Sequence, residues 1–359
     1  MGDALHGLHA YTTAARAMTL TEEDMRRSSL ATRLAVCGAA VAALAAAWLP
    51  AGVHAGTTVT LYTSESLDKV NEMKLDFEKL NPGATLNIYR SGTQVVISKL
   101  QAEQQAGGMQ ADILWMADID YFEDLAKKDL LMAYDPAGTD KIPSKFKYDG
   151  ARYHEVRLIF NTVAYNTLRV KTRPTSWRDL ADPQFKGKVG VASPFYSGAA
   201  FSTLGTHMTM PGLGWDLYQK LKANGVVVEQ ANGTVAKKLA TGEFHVVSVV
   251  DFMVRGDKAA GSPVDHIWPK EGAILVPTPV AILKNAKNVD GAKAFLRYLY
   301  SAEGQQLFVK QGYVPVLPGI QGPAGMPSEK LEIVLTDQAY IGKNREDLKA
   351  KYRQLFELK

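Results

Sequence analysis

Cysteine is almost absent from this sequence: its 359 residues contain one, Cys37. An internal disulfide needs two cysteines and a thiolate zinc site needs several, so neither can form within the chain. Cys37 also lies in an N-terminal segment that has the features of a cleaved leader. A thiol nucleophile is therefore excluded from the mature protein that we expect.

The motifs of the common enzyme classes are missing as well. The sequence contains no G-x-S-x-G, no H-E-x-x-H, no P-loop and no G-x-G-x-x-G after a strand. His154, His207, His245 and His266 show no metal-ligand spacing such as H-x-x-x-H. We therefore predict that the protein is not an enzyme and that it has no cofactor and no resident metal.

Basic residues are neither dominant nor clustered. The formal net charge is +4 at pH 7, and no Lys/Arg run or basic stretch interleaved with aromatic residues occurs. Proteins that bind nucleic acid usually carry such a concentrated basic surface. We therefore expect no nucleic-acid partner.

Long apolar runs are absent beyond residue 49. The apolar run at 34–49 is shorter than the about 20 residues that span a bilayer. It follows three arginines and precedes V-H-A at 53–55, a combination typical of a secretory signal. We predict that 1–55 is an over-long N-terminus plus a signal peptide cleaved after Ala55, leaving a soluble periplasmic protein. General and twin-arginine export both stay open.

After this leader, short apolar strands alternate with amphipathic helices. Residues 58–63 and 85–89 are rich in β-branched and aromatic side chains, and 112–116 form a third apolar run. Helical periodicity fills the segments between them. Such a βαβαβ series is typical of a parallel sheet with helices on its faces, so we predict an α/β protein.

Two extended segments, 154–166 and 273–283, are longer than a typical strand. The mature chain is also longer than a domain with a single hydrophobic core usually is. We therefore interpret both segments as crossings between two lobes. The predicted divisions are lobe 1 at 56–158, lobe 2 at 159–273, a return to lobe 1 at 274–320, and C-terminal helices at 321–359.

Five sequence segments, in order along the mature chain, resemble those of the bacterial extracellular solute-binding proteins related to ferric-iron, phosphonate and sugar-phosphate binders. The segments are LYTS at 61–64, ADILW at 111–115, SWRDL at 176–180 with PQFKGK at 183–188, KKLATGE at 237–243, and NAKN at 285–288 with AKAFL at 292–296 and SAEGQ at 301–305. Together they cover nearly the whole mature chain.

The resemblance implies the two-lobed periplasmic binding protein fold of type II. Each lobe is then a mixed sheet flanked by helices, and the ligand lies in the cleft between the lobes. The resemblance also implies partners, namely an inner-membrane ABC permease and its ATPase, and the protein itself is expected to be a monomer. Closure of the lobes about the crossings would trap the ligand.

Ligands of open α/β sheets bind beyond the carboxyl ends of the strands, where helix N-termini favour anions. Four predicted strand-to-helix turns carry hydroxyl, amide or glycine residues there. Each turn also has a simpler interpretation as a helix cap, which is compatible with binding. The residues that we expect to bind ligand are Thr63, Ser64, Ser91, Gly92, Thr93, Tyr196, Ser197, Gly198, Asn232, Gly233, Thr234, Asp251 and Arg255.

Asp251 and Arg255 follow the predicted strand at 245–250. In the ferric binders that this chain resembles, two adjacent tyrosines lie near this position and bind the metal, whereas this chain has Asp251 and Phe252. That departure favours an organic ligand over Fe(III), which needs several anionic oxygens. The alternative for Asp251 is a strand-end cap or a surface carboxylate.

The sequence thus predicts a periplasmic solute-binding protein that captures a small anionic solute, such as a phosphonate or a sugar phosphate. Arg90 and Arg157 are further anion-binding candidates, although a surface salt bridge is the simpler role for either one alone. Glu271, Gly272 and Thr278, near the return crossing, are weaker candidates. A ferric-iron binder is the alternative within the family. A periplasmic sensory partner and a hydrolase are the alternatives from other classes.

Overall fold

The computed structural model describes residues 57–148, 151–326 and 331–358. The predicted leader and Cys37 lie outside these residues. Within them, no helix combines the length and the apolar character that a membrane crossing requires.

The described part of the chain contains strands that are mostly short. They are β1 (Thr57–Thr63), β2 (Ala84–Arg90), β3 (Ile113–Trp115), β4 (Leu131–Met132), β5 (His154–Glu155), β6 (Arg157–Leu158), β7 (Phe160–Asn166), β8 (Val189–Ala192), β9 (Val227–Glu229), β10 (Val246–Val250), β11 (Val264–Ile267), β12 (Ala273–Leu275), β13 (Pro279–Leu283), β14 (Val314–Pro315) and β15 (Ile333–Val334).

Helices follow most of these strands. They are α1 (Leu67–Leu80), α2 (Thr93–Gln105), α3 (Ile119–Lys127), α4 (Gly198–Thr209), α5 (Gly214–Ala223), α6 (Asn232–Ala240), α7 (Asp251–Ala259), α8 (Val289–Leu299), α9 (Ala302–Lys310) and α10 (Gln338–Phe356). The C-terminal region therefore contributes the short strand β15 and one helix, α10, to the described chain, where several helices were predicted.

The first sheet has the strand order β2-β1-β3-β13-β4, with β5 paired to β13. Strands β1, β2 and β3 run parallel, whereas β13 is antiparallel to its neighbours. Helices α1, α2, α3, α8 and α9 pack on this sheet or on each other. We call this sheet with its helices the first lobe.

The second sheet has the order β15-β12-β7-β10-β8-β9, with β11 paired to β7. Strand β7 is antiparallel to β10, β11 and β12, while β8, β9 and β10 run parallel. Helices α4, α5, α6, α7 and α10 pack around it. We call this sheet with its helices the second lobe.

The chain passes between the sheets in two extended segments. On the way out, β5 pairs with the first sheet and β7 with the second. On the way back, β12 pairs with the second sheet and β13 with the first. The strand order within each sheet thus brings several strand carboxyl ends toward the space between the lobes.

Amphipathic helices cover each sheet through buried apolar faces. In α8, the buried residues Ala292, Phe295, Leu296 and Leu299 recur at helical spacing. The side chain of Asn288 caps this helix by accepting a hydrogen bond from the N–H of Gly291 at 2.9 Å. Local sequence and packing therefore agree here. The fold class predicted from the sequence, an α/β protein with two mixed sheets flanked by helices, is confirmed.

Candidate functional site

A cavity of about 80 Å³ lies where the loops after the strands of both sheets meet. Its walls include Arg157, Ile159 and Thr278 from the crossing segments. The remaining lining residues end or follow strands of one sheet or the other: Ser64, Glu65, Ser66, Arg90, Gly92, Thr93, Ala117, Tyr196, Ser197, Gly198, Ala199, Ala231, Asn232, Gly233, Val250, Phe252 and Met253.

Three helices begin at this cavity. Helix α2 begins at Thr93, α4 at Gly198 and α6 at Asn232, and all three residues line the wall. The first N–H groups of a helix lack intrahelical partners and carry partial positive charge. The walls therefore offer backbone donors from both lobes, an arrangement suited to an anion.

The helix starts in the second lobe are linked to each other. The hydroxyl of Ser197 accepts a hydrogen bond from the N–H of Ala200 at 3.2 Å and caps α4. The same hydroxyl accepts a second bond from the side-chain amide of Asn232 at 2.9 Å. This bond holds the beginnings of α4 and α6 side by side. Capping and wall formation therefore coexist in Ser197, as the sequence allowed.

Arg157 is the buried cation of the cavity, with 1% of its surface exposed. Its guanidinium pairs with the carboxylate of Glu65 and donates to the hydroxyl of Thr278. It also lies 4.3 Å from the ring centroid of Tyr313 and 5.2 Å from that of Trp115. Burial disfavours the charged form, but Glu65 opposes that effect and the net pKa of Arg157 is raised.

One donor of Arg157 is left without a partner. Its Nε is buried and makes no hydrogen bond within the described part of the chain. A buried N–H that stays unpaired is destabilising, and such groups are rare in native structures. A ligand oxygen or an ordered water would satisfy this donor.

A second carboxylate supports the cavity from behind. Glu155 is fully buried and accepts hydrogen bonds from the N–H and the hydroxyl of Thr278, the latter at 2.6 Å. The hydroxyl of Tyr148 donates to it at 3.2 Å. Burial raises the pKa of Glu155 to about 7, so this group is partly neutral at neutral pH. Glu155 thereby orients Thr278 toward Arg157 without adding a full negative charge.

The lobes touch each other across the cavity. A Cβ added to Gly198 would lie 1.9 Å from the carbonyl oxygen of Ala117 in the first lobe. A Cβ added to Gly92 would lie 2.6 Å from the ring of Tyr196 in the second lobe. Only glycine permits backbone approaches this close. The structure is therefore a closed arrangement of the two lobes.

Eight of the thirteen residues predicted to bind ligand line this cavity. They are Ser64, Gly92, Thr93, Tyr196, Ser197, Gly198, Asn232 and Gly233. The structure brings together residues from all four predicted turns, although Ser64 and Gly233 are 169 positions apart in the sequence.

Thr63, Ser91 and Thr234 lie next to the cavity but do not line it. The hydroxyl of Thr63 is fully buried and accepts a hydrogen bond from the N–H of Glu65 at 3.0 Å. Ser91 donates its N–H to the carbonyl of Thr63, and Thr234 donates its N–H to Ala231. These residues shape the turns that present the lining residues.

Asp251 and Arg255 differ most from the sequence expectation, because the structure does not bring them to the cavity. Asp251 is fully buried, accepts a hydrogen bond from the N–H of Phe160 at 2.9 Å, and pairs with Arg255 at 2.6 Å. Arg255 also donates to the carbonyl of Gly312. The pair therefore ties α7 to the crossing strand β7 and to the loop after α9.

Five polar lining residues were not among the thirteen. Arg90, Arg157 and Thr278 were weaker candidates, and Glu65 and Ser66 were missed. Arg90 donates to the carbonyl of Glu65 at 2.8 Å and so fixes the loop after β1. The sequence signal for Glu65 was its position directly after the Thr63-Ser64 turn.

The described residues offer little to a bound cation. They contain no group of three or more His, Cys, Asp or Glu side chains placed to hold a metal ion. Phe252 lines the cavity and packs on Tyr313 with ring centroids 4.3 Å apart. An apolar ring therefore occupies the position at which the sequence comparison expected a metal-binding tyrosine in ferric binders.

Two sheet-and-helix lobes closed around a cavity between them are the architecture of a solute-binding protein. Residues 110–341 match the family model described as bacterial extracellular solute-binding protein. The chain belongs to this family, which implies a small solute as ligand and an ABC transporter as partner. The resemblance inferred from the five sequence segments is confirmed.

Proteins of other bacteria are similar to most of the chain. The chain is 25% identical over 289 residues to a Salmonella typhimurium protein with the provisional name 2-aminoethylphosphonate-binding periplasmic protein, covering 76% of this chain and 81% of the relative. It is 29% identical over 265 residues to an uncharacterized protein of Haemophilus influenzae, covering 69% and 75% of the two chains.

Solved structures show the same fold. The periplasmic binding protein AfuA of Actinobacillus pleuropneumoniae, with fructose-6-phosphate bound, matches with a TM-score of 0.75 and 25% identity, covering 84% of this chain and 99% of AfuA. Iron-bound HitA of Pseudomonas aeruginosa matches with a TM-score of 0.70 and 21% identity, covering 82% and 99%. The fold therefore serves relatives with different ligands.

Proposed function

We propose that this protein captures a small anionic phosphorus compound, a phosphonate or a sugar phosphate, in the periplasm. It then delivers this compound to an inner-membrane ABC permease and its ATPase, acting as a monomer. The observation that carries the proposal is Arg157, a buried cation in the cavity wall whose Nε has no partner among the described residues. Arginine is a frequent partner of phosphate oxygens, and the Nε–H of Arg157 would donate a charge-assisted hydrogen bond to one of them.

The helix starts support an anion at the same place. Thr93, Gly198 and Asn232 present helix N-termini from both lobes to one small cavity. A phosphoryl or phosphonyl group has three oxygens and can accept from several N–H groups at once. Contacts from both lobes would strengthen as the cleft closes, which couples binding to closure.

The carboxylate of Glu65 gives the cavity a second recognition element. Glu65 lines the wall and is paired with Arg157. A ligand ammonium or hydroxyl group could interact with this carboxylate while the phosphorus group binds the helix starts. The provisional name of the Salmonella relative and the fructose-6-phosphate in AfuA agree with these two ligand types.

Ferric iron is the second candidate, because Tyr196 and Glu65 both line the cavity and would supply anionic oxygens. Fe(III) binds best to several such ligands. Phe252 supplies none, which is why we place organic phosphorus compounds first.

A ligand screen by thermal unfolding tests the proposal. The protein, freed of carried-over ligand by refolding, is heated with 2-aminoethylphosphonate, fructose-6-phosphate, phosphoglycerate, sulfate or ferric citrate. We expect the largest stabilisation from an organic phosphorus compound, about 2.7 kcal/mol at a hundredfold excess over Kd. Ethylamine is the matched control for 2-aminoethylphosphonate, because it lacks only the phosphonate, and it should have no effect. A large shift with ferric ion alone, or none with any phosphorus compound, would refute the proposal.

A further inference from the structure

We propose that helix α10 is a clamp between the lobes and that Arg345 on this helix is a positioning residue for ligand retention. The inference rests on the proposed function, because it concerns the opening and closing of the same cavity. Arg345 lines no part of the cavity wall. It would act through Asp118 and Asp120 of the first lobe.

One face of α10 belongs to the second lobe. Ile341, Leu348 and Tyr352 are buried in the apolar core of that lobe. The packing on α4 is so close that a Cβ on Gly205 would lie 2.4 Å from the side chain of Ile341. Helix α10 therefore moves with the second lobe.

The other side of α10 reaches the first lobe through a forked ion pair. The guanidinium of Arg345 donates to both carboxylate oxygens of Asp118, at 2.8 and 2.6 Å, and to Asp120 at 3.0 Å. The side chain of Asp118 is 2% exposed and that of Arg345 is 21% exposed. Paired contacts of this geometry are among the stronger ion pairs in proteins.

A second link runs parallel to the first. The side-chain amide of Gln94 donates to Asp118 at 3.1 Å, and its oxygen accepts from the ammonium of Lys349 at 3.1 Å. Phe201 of α4 lies beneath both cations, 4.8 Å from the guanidinium of Arg345 and 5.6 Å from the ammonium of Lys349. The second lobe thus holds both basic groups in position against the first lobe.

The clamp is attached to elements that form the cavity. Asp118 caps α3 and directly follows Ala117, whose carbonyl meets Gly198 across the cleft. Gln94 lies in the first turn of α2, whose first residue, Thr93, lines the cavity. Separation of the lobes at the cavity would therefore pull these ion pairs apart.

The electrostatic situation at Asp120 agrees with this role. Burial, with the neighbouring Asp118, raises the pKa of Asp120 to about 6, while Arg345 opposes this effect. Without the guanidinium, the carboxylates of Asp118 and Asp120 would lose the cation that pairs with both of them. Loss of Arg345 therefore removes attraction between the lobes and leaves uncompensated negative charge on the first lobe.

The test measures the distance between the lobes in solution. Donor and acceptor dyes are placed on cysteines introduced at the exposed positions Leu75 and Leu168, one in each lobe, with Cys37 replaced by serine. We expect Arg345→Gln to change the energy transfer of the ligand-free protein, and saturating 2-aminoethylphosphonate to restore the wild-type value. The dissociation rate of this ligand should rise about tenfold, with a smaller effect on association.

Arg353→Gln is the matched control. Arg353 is also on α10, but its guanidinium lies over the ring of Phe195 in the second lobe, 4.7 Å from the centroid. We expect this variant to behave as wild type. Asp120→Asn repeats the test from the first lobe and should shift the energy transfer in the same direction as Arg345→Gln. Arg345→Lys keeps the positive charge and should shift the energy transfer less than Arg345→Gln does.

Unchanged transfer in both Arg345→Gln and Asp120→Asn would overturn the clamp. The ligand-free measurement requires no ligand, so it also separates the two proposals. If no phosphorus compound binds but Arg345→Gln still alters the ligand-free transfer, the proposed ligand class fails and the clamp stands.

Discussion

Replacing Arg157 with glutamine is expected to lower the affinity for an organic phosphorus ligand by at least about 100-fold. Arg157 is the buried cation of the cavity, and its partner Glu65 is 6% exposed. The substitution removes the charge that we propose binds the ligand. It also leaves the Glu65 carboxylate buried without its cation.

The same variant should be less stable by about 3–5 kcal/mol, because breaking a buried ion pair leaves one charge uncompensated. Chemical denaturation measures this change, and isothermal titration with 2-aminoethylphosphonate measures the affinity. The double variant Glu65→Gln/Arg157→Gln distinguishes the two effects. Removal of both charges should restore much of the stability but not the affinity.

Arg178→Gln is the matched control for this experiment. Arg178 pairs with Glu271 at 3.1 Å, but its side chain is 49% exposed. The Glu271 side chain is 13% exposed, and Arg178 also donates to the carbonyls of Pro211 and Gly212, so this variant should lose about 1–2 kcal/mol of stability while its ligand affinity stays at the wild-type value. If the Arg157 variant kept wild-type affinity, Arg157 would have no part in ligand binding.

Replacing Gly198 with alanine is expected to weaken binding by about 100-fold while leaving the ligand-free protein folded. The new Cβ would lie 1.9 Å from the carbonyl oxygen of Ala117 and 2.8 Å from the hydroxyl of Thr93, both in the first lobe. Both distances are shorter than a real Cβ contact, so the lobes must separate to accommodate the new methyl group. The variant should therefore keep the cleft from closing around its ligand.

Stability provides the internal check on this second result. Gly198 is the first residue of α4 and does not have a positive φ, and alanine favours helices more than glycine does. The thermal midpoint without ligand should therefore stay near the wild-type value. Gly256→Ala in α7 is the control, because a Cβ there meets nothing within 4 Å. If the Gly198 variant bound the ligand with wild-type affinity, binding would not require the close approach of Gly198 to Ala117, which would contradict this account.

Much of the fold was predictable because its signals are local. Apolar runs marked β1, β2 and β3, and helical periodicity marked the segments between them. The length of the two crossing segments predicted that the chain passes between two sheets. The residue boundaries of the lobes stay predictions.

The cavity was predictable only in part. Turns after strands located Gly92, Ser197 and Gly198, because helix caps and glycines have recognisable sequence patterns. The pairing of Arg157 with Glu65 joins residues 92 positions apart, and no local pattern reports it. Arg157 was therefore weighed as a surface residue.

Asp251 is the opposite case, because it was predicted to bind ligand and the structure places it away from the cavity. It follows β10 directly, and a carboxylate at a strand end suggested a ligand contact. In the structure its side chain turns to the N–H of Phe160, 91 positions earlier in the chain. Side-chain direction at a strand end depends on tertiary contacts, so sequence position alone could not distinguish a binding residue from one that secures the crossing.

A crystal structure of the protein grown with 2-aminoethylphosphonate tests the central claim most directly. We predict that the phosphonate lies in the cavity within hydrogen-bonding distance of Arg157 and of the N–H groups at the starts of α2 and α4. A phosphonate bound elsewhere, or a ferric ion held by Tyr196 and Glu65 in its place, would contradict the account.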